Sequence, residues 1–386
     1  MLADEKIGRP RRAPVSDAVR SLEWSAAIER ATSSLPRRRW PTRYRGREFR
    51  HDSRIAFAST LDLTAPFTAS GIFVHHATGD SLLTGASRVR SRATADIVAA
   101  GIMRTARQLR FRAFYVVDDR PRTVAAQQRL EPGVPTRLVA GSRVQATLSG
   151  RLPFAVPRVL AAGLIGNARR GRVDWVVEEA LDGALIPAAE ADATVEELVE
   201  LLAHMWLRLG VTHAPLDAGQ HARILRAFER LTHDPLPGVW PRELDRDTTW
   251  RRVRELVTEA RPLTTAVCHG DPGLGNVLRL ADGRLALVDW ETAGHRPVAY
   301  DVVKALLSAP DPAALAAGAA GLAAPAALRP AIAAGAAPWR RQLAVSLALF
   351  MSGWRSRHRQ AIRRGSKRAG VRRMHHQLRM LTALLD

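Results

Sequence analysis

Residues 277–290 read VLRLADGRLALVDW, two apolar runs on either side of an Asp-Gly pair. This is the strongest short-range signal for a β-hairpin, because both central residues of a type I′ turn need positive φ. With Asp282 and Gly283 as those two residues, Ala281 pairs with Arg284 and Leu280 with Leu285, and the count brings Asn276 opposite Asp289. Directly opposed residues share a face, with Cβ atoms ~4.5–5.5 Å apart. An amide oxygen and a carboxylate at that spacing can share one hard cation. Mg²⁺ takes oxygen ligands and completes its shell with waters and phosphates. The register therefore constrains the chemistry as well as the fold, and a one-residue bulge would break it.

The hairpin follows AVCHGDPGLGN, residues 266–276, where an apolar strand-like run meets His269, Gly270 and Asp271 and then a Gly/Pro loop. Asp271 sits beside the candidate metal pair but outside the hairpin. Protein kinases arrange a loop aspartate, an asparagine five residues on, and a second aspartate at a hairpin end in the same order.

The stretch HGDPGLGNVLRLADGRLALVDWETAGHRPVAYD, residues 269–301, resembles the signature of the aminoglycoside phosphotransferase and choline-kinase-like family. The likeness extends more loosely over about 156–310, with WVVEEALDG (175–183) similar to the family's hinge and WLRLGVTHAPL (206–216) to its preceding helix. The resemblance implies a two-lobed, protein-kinase-like α+β fold with a small strand-rich lobe and a larger helical lobe. It implies a Mg²⁺-dependent transfer of the γ-phosphate of ATP or GTP to a hydroxyl of a sugar, amino alcohol or antibiotic. Asp271 would orient or deprotonate the acceptor hydroxyl, and His269 would brace its loop. Asn276 and Asp289 would hold Mg²⁺. Glu178, Glu179, Ala180 and Leu181 would offer backbone bonds to the nucleotide base.

The family's phosphate-binding lysine has no counterpart, since no lysine lies between Lys6 and Lys304. Arg129, on the strand-like RTVAAQQRL, is the replacement, although arginine and lysine are not equivalent phosphate ligands. Residues 134–150, where a paired helix glutamate belongs, contain no Asp or Glu, and TGDSLLTGAS (78–87) is a phosphate-loop candidate on composition alone. Two readings stay open: an active kinase that uses arginine for the phosphates, or a degenerate nucleotide-binding or regulatory protein. The active enzyme is preferred, because three polar groups around a cleft are costly with nothing to bind.

Local patterns divide the chain into a basic extension (1–50) carrying one helix at 16–32, a strand-rich nucleotide lobe (51–180) and a helical catalytic lobe (181–386). Strands are expected at 54–60 and 71–75, a helix at 94–110, a hairpin over 110–130 and a strand-loop-strand unit over 156–183. Thr194 and Glu197 read as a capping box. Leu198, Leu201, Leu202, Met205 and Leu209 form an apolar face that Gly210 ends.

The net charge is +21, and only three of the 58 basic residues are lysines. This bias looks like GC-rich coding, yet so positive a field still disfavours a polycationic acceptor. A local acidic pocket, with Glu196, Glu197, Glu200, Asp245 and Asp247 as candidates, would be needed to offset it. Residues 355–379 hold ten Lys/Arg and no acid. They read as a solvated face, with anionic-surface or nucleic-acid contact as the alternative. The single cysteine, Cys268, excludes an intramolecular disulfide and reads as an inert buried thiol. No signal peptide or spanning run is visible, so a cytoplasmic location is expected. Lys304 reads as solvated, Asp301 as a brace for its own helix, and the pairs His75-His76 and His375-His376 as surface residues.

Overall fold

In the computed structural model, the described residues are 43–44, 47–48, 96–104, 109–117, 120–131, 133–167, 171–181, 183–233, 238–309, 321–363 and 367–386. The expected helix at 16–32, the strands at 54–60 and 71–75, His75-His76 and the loop at 78–87 lie outside them. The chain divides into two compact units. The first comprises the chain through Arg151, Ala155–Ala184 and the hairpin tip Arg279–Ala286; the second comprises Leu152–Phe154, Leu185–Leu278 and Leu287–Asp386.

The first unit is built on a five-stranded antiparallel sheet. Its strands are β1 (Asp96–Arg104), β2 (Leu109–Val117), β3 (Arg120–Gln128), β4 (Val159–Asn167) and β5 (Gly171–Glu179), in the order β1-β2-β3-β5-β4. Val117 pairs with Arg120, so β2 and β3 form the hairpin read from the sequence. The helix expected over 94–110 is instead strand β1, paired with β2 from Asp96↔Val116 to Arg104↔Leu109. Ala-rich composition favours helix locally. A ladder to an aromatic and β-branched partner, broken only by a register shift between Ile97 and Ala99 and with Gly101 at mid-segment, outweighs propensities of a few tenths of a kcal/mol per residue. Helix α1 (Arg137–Leu148) follows β3 and packs on β5. Strand β6 (Gly183–Leu185) follows β5 in the chain.

Helices dominate the second unit: α2 (Ala191–Leu209), α3 (Ala218–His233), α4 (Arg246–Thr258), α5 (Val298–Leu306), α6 (Arg329–Ala333), α7 (Trp339–Met351), α8 (Trp354–Arg363) and α9 (Lys367–Leu385). The capping box at Thr194 does not form. Helix α2 starts at Ala191, so Thr194 is buried in its first turn and Glu190 is the N-cap. ADA is good helix-forming sequence, and the helix extends through it. Of the expected apolar face, Leu198, Leu202 and Met205 are buried and Leu201 is half-buried, while Leu209, in the last turn, is exposed. Gly210 ends the helix at φ 89°. Asp245 caps α4 by accepting the Thr248 N–H at 2.7 Å.

The core of this unit is α7, whose residues are buried nearly all round from Trp339 to Met351. A helix apolar on every side belongs in an interior, and each large side chain removed from water contributes about 1.5–3 kcal/mol. Helices α3, α4, α5 and α9 pack on α7. A three-stranded antiparallel sheet lies beside them, with β8 (Leu263–Cys268) between β7 (Thr212–Ala214) and β11 (Gly294–Pro297). Strand β8 is almost wholly buried and packs against α5, so the loop that leaves it at His269 starts from a rigid base.

Candidate active site

His269 and Gly270 leave β8 and turn sharply, with Gly270 at φ 83°. A Cβ built there would lie 2.5 Å from the Thr292 carbonyl oxygen and 2.6 Å from Arg296 Nη1, so only glycine fits both the space and the dihedral. Asp301, wholly buried in the first turn of α5, accepts the backbone N–H groups of His269 and Gly270, each at 2.8 Å. It braces this loop rather than its own helix. Burial pushes the Asp301 carboxyl up to about 6, against the opposing charge of Arg296 and the two N–H donors.

His269 is the hub of the loop. Its Nδ1 accepts the Asp271 N–H at 3.2 Å and its Nε2 lies 3.1 Å from the Val288 carbonyl. The ring meets Trp290 edge-on at 4.6 Å between centroids. A nitrogen that accepts from an N–H carries no proton, so the neutral tautomer with hydrogen on Nε2 satisfies both contacts. Burial pushes the ring pKa down to about 4, against the pull of the Asp289 and Asp271 carboxylates. His269 is therefore neutral near pH 7. It ties the Asp271 loop to the strand end just before Asp289.

The hairpin forms, but not in the expected register. Strands β9 (Val277–Leu280) and β10 (Leu285–Leu287) form the hairpin, and Leu280 and Arg284 close a three-residue loop over 281–283. Leu280 N–H donates to Arg284 O at 2.9 Å, and Gly283 N–H donates to Leu280 O at 3.0 Å. Gly283 sits at φ 82°, which gives a type I turn closed by a glycine bulge. Asp282 Oδ1 accepts the Arg284 N–H at 3.1 Å, which favours this turn over the two-residue type I′. Asn276 consequently faces Val288, whose N–H donates to Asn276 O at 2.9 Å, and Asp289 lies one residue beyond the ladder. Continuing the pleat would put Asp289 on the face opposite Asn276. Asp289 instead leaves the strand in the left-handed region, at φ 70° and ψ 59°, alone among the described non-glycine residues. Such a conformation costs about 1–3 kcal/mol and is characteristic of functional sites.

Asn276 Nδ2 donates to the Asp271 carbonyl at 2.9 Å, so asparagine and aspartate are tied directly. Asp271 itself is 43% exposed and pairs with Lys304 on α5, Nζ to Oδ1 at 2.6 Å. Lys304 is thus not simply solvated, and nothing in the local sequence shows it reaching back to this loop. Cys268 is buried, and burial raises its thiol pKa well above normal, as fits an inert thiol. Among the described residues, no three His, Cys, Asp or Glu side chains gather into a metal cage.

The remaining sequence candidates lie in the first unit. Arg129, just past β3, gives Nε and Nη2 to Asp174 Oδ1 at 2.9 and 2.7 Å. Asp174 is 1% exposed, and its Oδ2 accepts the N–H of Thr136, the N-cap of α1, at 2.7 Å. The sequence reading missed Asp174; its signal is a carboxylate inside the strand RVDWVV, between Val173 and Trp175. Glu178 and Glu179 end β5. The Glu178 carboxylate accepts from Thr123 Oγ1 at 3.0 Å and Gln145 Nε2 at 2.6 Å, while Glu179 N–H donates to Arg158 O at 2.9 Å. Ala180 and Leu181 follow the strand's end.

The model of the phosphotransferase enzyme family matches residues 102–334, more than half of the chain. The chain belongs to that family. Membership makes it a small-molecule kinase, and the kinase-like α+β fold expected from the sequence is the fold it has. Among solved structures, one resembling it is a thermostable mutant of aminoglycoside phosphotransferase APH(4)-Ia in complex with AMP-PNP and hygromycin B. That match has 15% identity over 74% of this chain and 94% of the other, with a TM-score of 0.41. The amicoumacin kinase hAmiN, bound to AMP-PNP, Ca²⁺ and its antibiotic, matches at 11% identity, 71% and 87% coverage, and a TM-score of 0.44. A choline/ethanolamine kinase family protein from Mesorhizobium loti matches at 17% identity, 74% and 92% coverage, and a TM-score of 0.42. No curated protein matches the chain. The family assignment rests on the family model. Among the described residues, no helix is long and apolar enough to cross a membrane.

Proposed function

We propose that the protein transfers the γ-phosphoryl group of ATP or GTP to a hydroxyl of a small molecule, with Mg²⁺, in the cytoplasm. The observation that carries this reading is the rigid mounting of Asp271. Its loop is fixed by the buried Asp301, by His269 and by Asn276, while its carboxylate stays accessible. Phosphoryl transfer asks little of the protein beyond positioning and charge neutralisation.

In this reading the acceptor hydroxyl lies against Asp271. As the acceptor oxygen bonds to the γ-phosphorus, the bond to the bridging oxygen of the nucleoside diphosphate breaks. The acceptor proton passes to the Asp271 carboxylate. His269, neutral and fully engaged, positions the loop and takes no proton.

Asn276 and Asp289 would hold the metal. An amide oxygen and a carboxylate suit Mg²⁺, which completes its shell with waters and phosphates and needs no all-protein cage. With Asn276 Nδ2 given to the Asp271 carbonyl, Oδ1 is the atom left to face a cation. The ion, when bound, neutralises charge on the phosphates.

Arg129 is the proposed phosphate ligand. Asp174 would orient it from a strand, supplying the carboxylate that α1 lacks. Ala180 and Leu181, past the last pairing of β5, offer backbone groups for the base.

The test is Mg·ATP and Mg·GTP hydrolysis by wild type and Asp271→Asn across a panel of hydroxylated acceptors. Nucleotide binding without turnover in wild type would sink the catalytic role.

A further inference from the structure

We infer that the acceptor of this kinase carries its own negative charge, bound by Arg357, which shares the Phe350 ring with Lys304, the partner of Asp271. The inference rests on the phosphotransferase reading and names the substrate class of that site. Lys304 Nζ, paired with Asp271, lies 5.1 Å from the centroid of the Phe350 ring. The Arg357 guanidinium lies 4.0 Å from the centroid of the same ring. Two cations therefore lie against one ring, and one of them pairs with the candidate base.

Their charges are not equally met. Lys304 has Asp271. Arg296, 5.6 Å from the Tyr300 ring centroid, hydrogen-bonds to the carbonyls of Thr292 and Gly294 and is in the field of Asp301. Arg357 has no carboxylate partner among the described residues, and its Nη2 is buried without a hydrogen bond. Burial lowers its pKa to about 10, so it remains a cation at neutral pH. A buried charge without a partner is costly, and an anion is what would offset it.

The backbone makes room for this group. A Cβ on Gly353 would lie 2.8 Å from Arg357 Nη1, so the guanidinium occupies space that a side chain there would fill. Lys304 completes the logic. An anionic acceptor approaching Asp271 meets a like charge, which the Lys304 ammonium paired with Asp271 offsets. A polyamine or a quaternary amine would meet Lys304 and Arg357 as repelling neighbours. The chemistry fits a hydroxy acid or a sugar acid, with hydroxyl and anionic group on one small skeleton.

The experiment compares wild type, Arg357→Gln and Gly353→Ala. Thermal unfolding is followed with inorganic phosphate, D-glycerate and D-gluconate alone, and with the uncharged and cationic counterparts glycerol, glucose, glucosamine and choline. Mg·ATP turnover is measured with each acceptor. The anions should raise the wild-type melting temperature without nucleotide, and Arg357→Gln should abolish the rise. For anionic acceptors that turn over, Arg357→Gln should raise KM about 10- to 100-fold, as expected for losing hydrogen bonds to a charged group. The KM for nucleotide should not move. Gly353→Ala retains the charge but displaces the guanidinium, and it should weaken the same anions if Arg357→Gln fails to fold. Equal stabilisation of wild type and both variants by every anion, or preferred turnover of the cationic acceptors, would overturn the inference. Arg357-dependent anion binding in a protein that neither binds nor hydrolyses nucleotide would support the anion site and sink the kinase reading.

Discussion

Asp174 and Asp271 each pair with a basic side chain, Arg129 at 2.7 Å and Lys304 at 2.6 Å, in opposite settings. Asp174 is 1% exposed and Arg129 11%, and the same carboxylate also takes a helix-cap N–H. Asp271 is 43% exposed, and Lys304 swings from the end of a flexible stem. The first pair is a fixture: breaking it strands a charge among apolar neighbours. The second is exchangeable: water or a substrate can replace either partner at little cost. The rigidity needed at Asp271 comes from its backbone, through His269, Gly270 and Asp301, and leaves the carboxylate available. In one unit the side chains fix each other; in the other the loop is fixed so that a side chain need not be.

The sharpest way to test this contrast is Asp271→Asn. An amide of the same shape preserves the loop's backbone bonds and removes the proposed general base. Turnover should fall by about 10²–10⁴. The melting temperature should stay near wild type, because the exposed ion pair contributes little. A large drop in stability together with activity would show that Asp271 is a structural fixture like Asp174.

Asp174→Asn attacks the other half of the comparison. It leaves Arg129 buried against a neutral partner, and breaking a buried pair typically costs about 3–5 kcal/mol. Urea unfolding of the variant should show that loss. The charge-removing partner, Arg129→Met, with its stem still packed, should recover part of the stability in the Asp174→Asn background while lowering affinity for nucleotide.

The sequence made some of this legible and hid the rest for physical reasons. The loop and hairpin from His269 to Asp289 were readable because their turn residues and polar positions are local. The hairpin register was not, because Asp-Gly serves both a two-residue type I′ turn and a type I turn with a glycine bulge, and the Arg284 N–H bond to Asp282 decides between them. Strand β1 was read as helix because alanine-rich propensity was weighed without its long-range ladder to β2. Lys304 could not be placed beside the loop, nor Arg357 beside the ring that Lys304 shares, since both contacts come from tertiary packing around Phe350. Asp301 was seen in sequence but assigned to the wrong brace: its helix presents it backwards to the loop at 269–270.

The buried brace should also show in the pH dependence of stability, measured in EDTA by urea unfolding between pH 4 and pH 7. The folded His269 pKa, about 4, lies below the normal value of 6.5. The unfolded chain therefore takes up that proton first, and the stabilising contribution is lost as pH falls from 6.5 towards 4. Asp301, raised from 3.8 to about 6, acts in the opposite sense, contributing below pH 4 and losing that contribution as pH rises through 6. The two slopes oppose each other in the same window. His269→Gln keeps an amide in place of the ring and removes one of them. The stability gap between wild type and variant should shrink by about 3 kcal/mol from pH 7 to pH 4. A gap independent of pH would mean that the folded ring titrates as it does in the unfolded chain, and that burial does not hold it neutral; a gap that widens towards pH 4 would mean the ring is protonated in the folded protein.

The smallest effect separates the two aspartates most cleanly. Lys304→Met keeps the stem against Phe350 and removes the ammonium from Asp271. A partly exposed pair of this kind contributes about 0–1 kcal/mol, so the variant should unfold within that margin of wild type, in contrast to Asp174→Asn. The difference should also be insensitive to added salt beyond the first 0.1 M, where screening over a Debye length of about 10 Å removes most of what an exposed pair contributes. A loss comparable to that of Asp174→Asn would show that Lys304 and Asp271 are locked together in the resting protein. The site would then have to break a structural bond before an acceptor could reach its base.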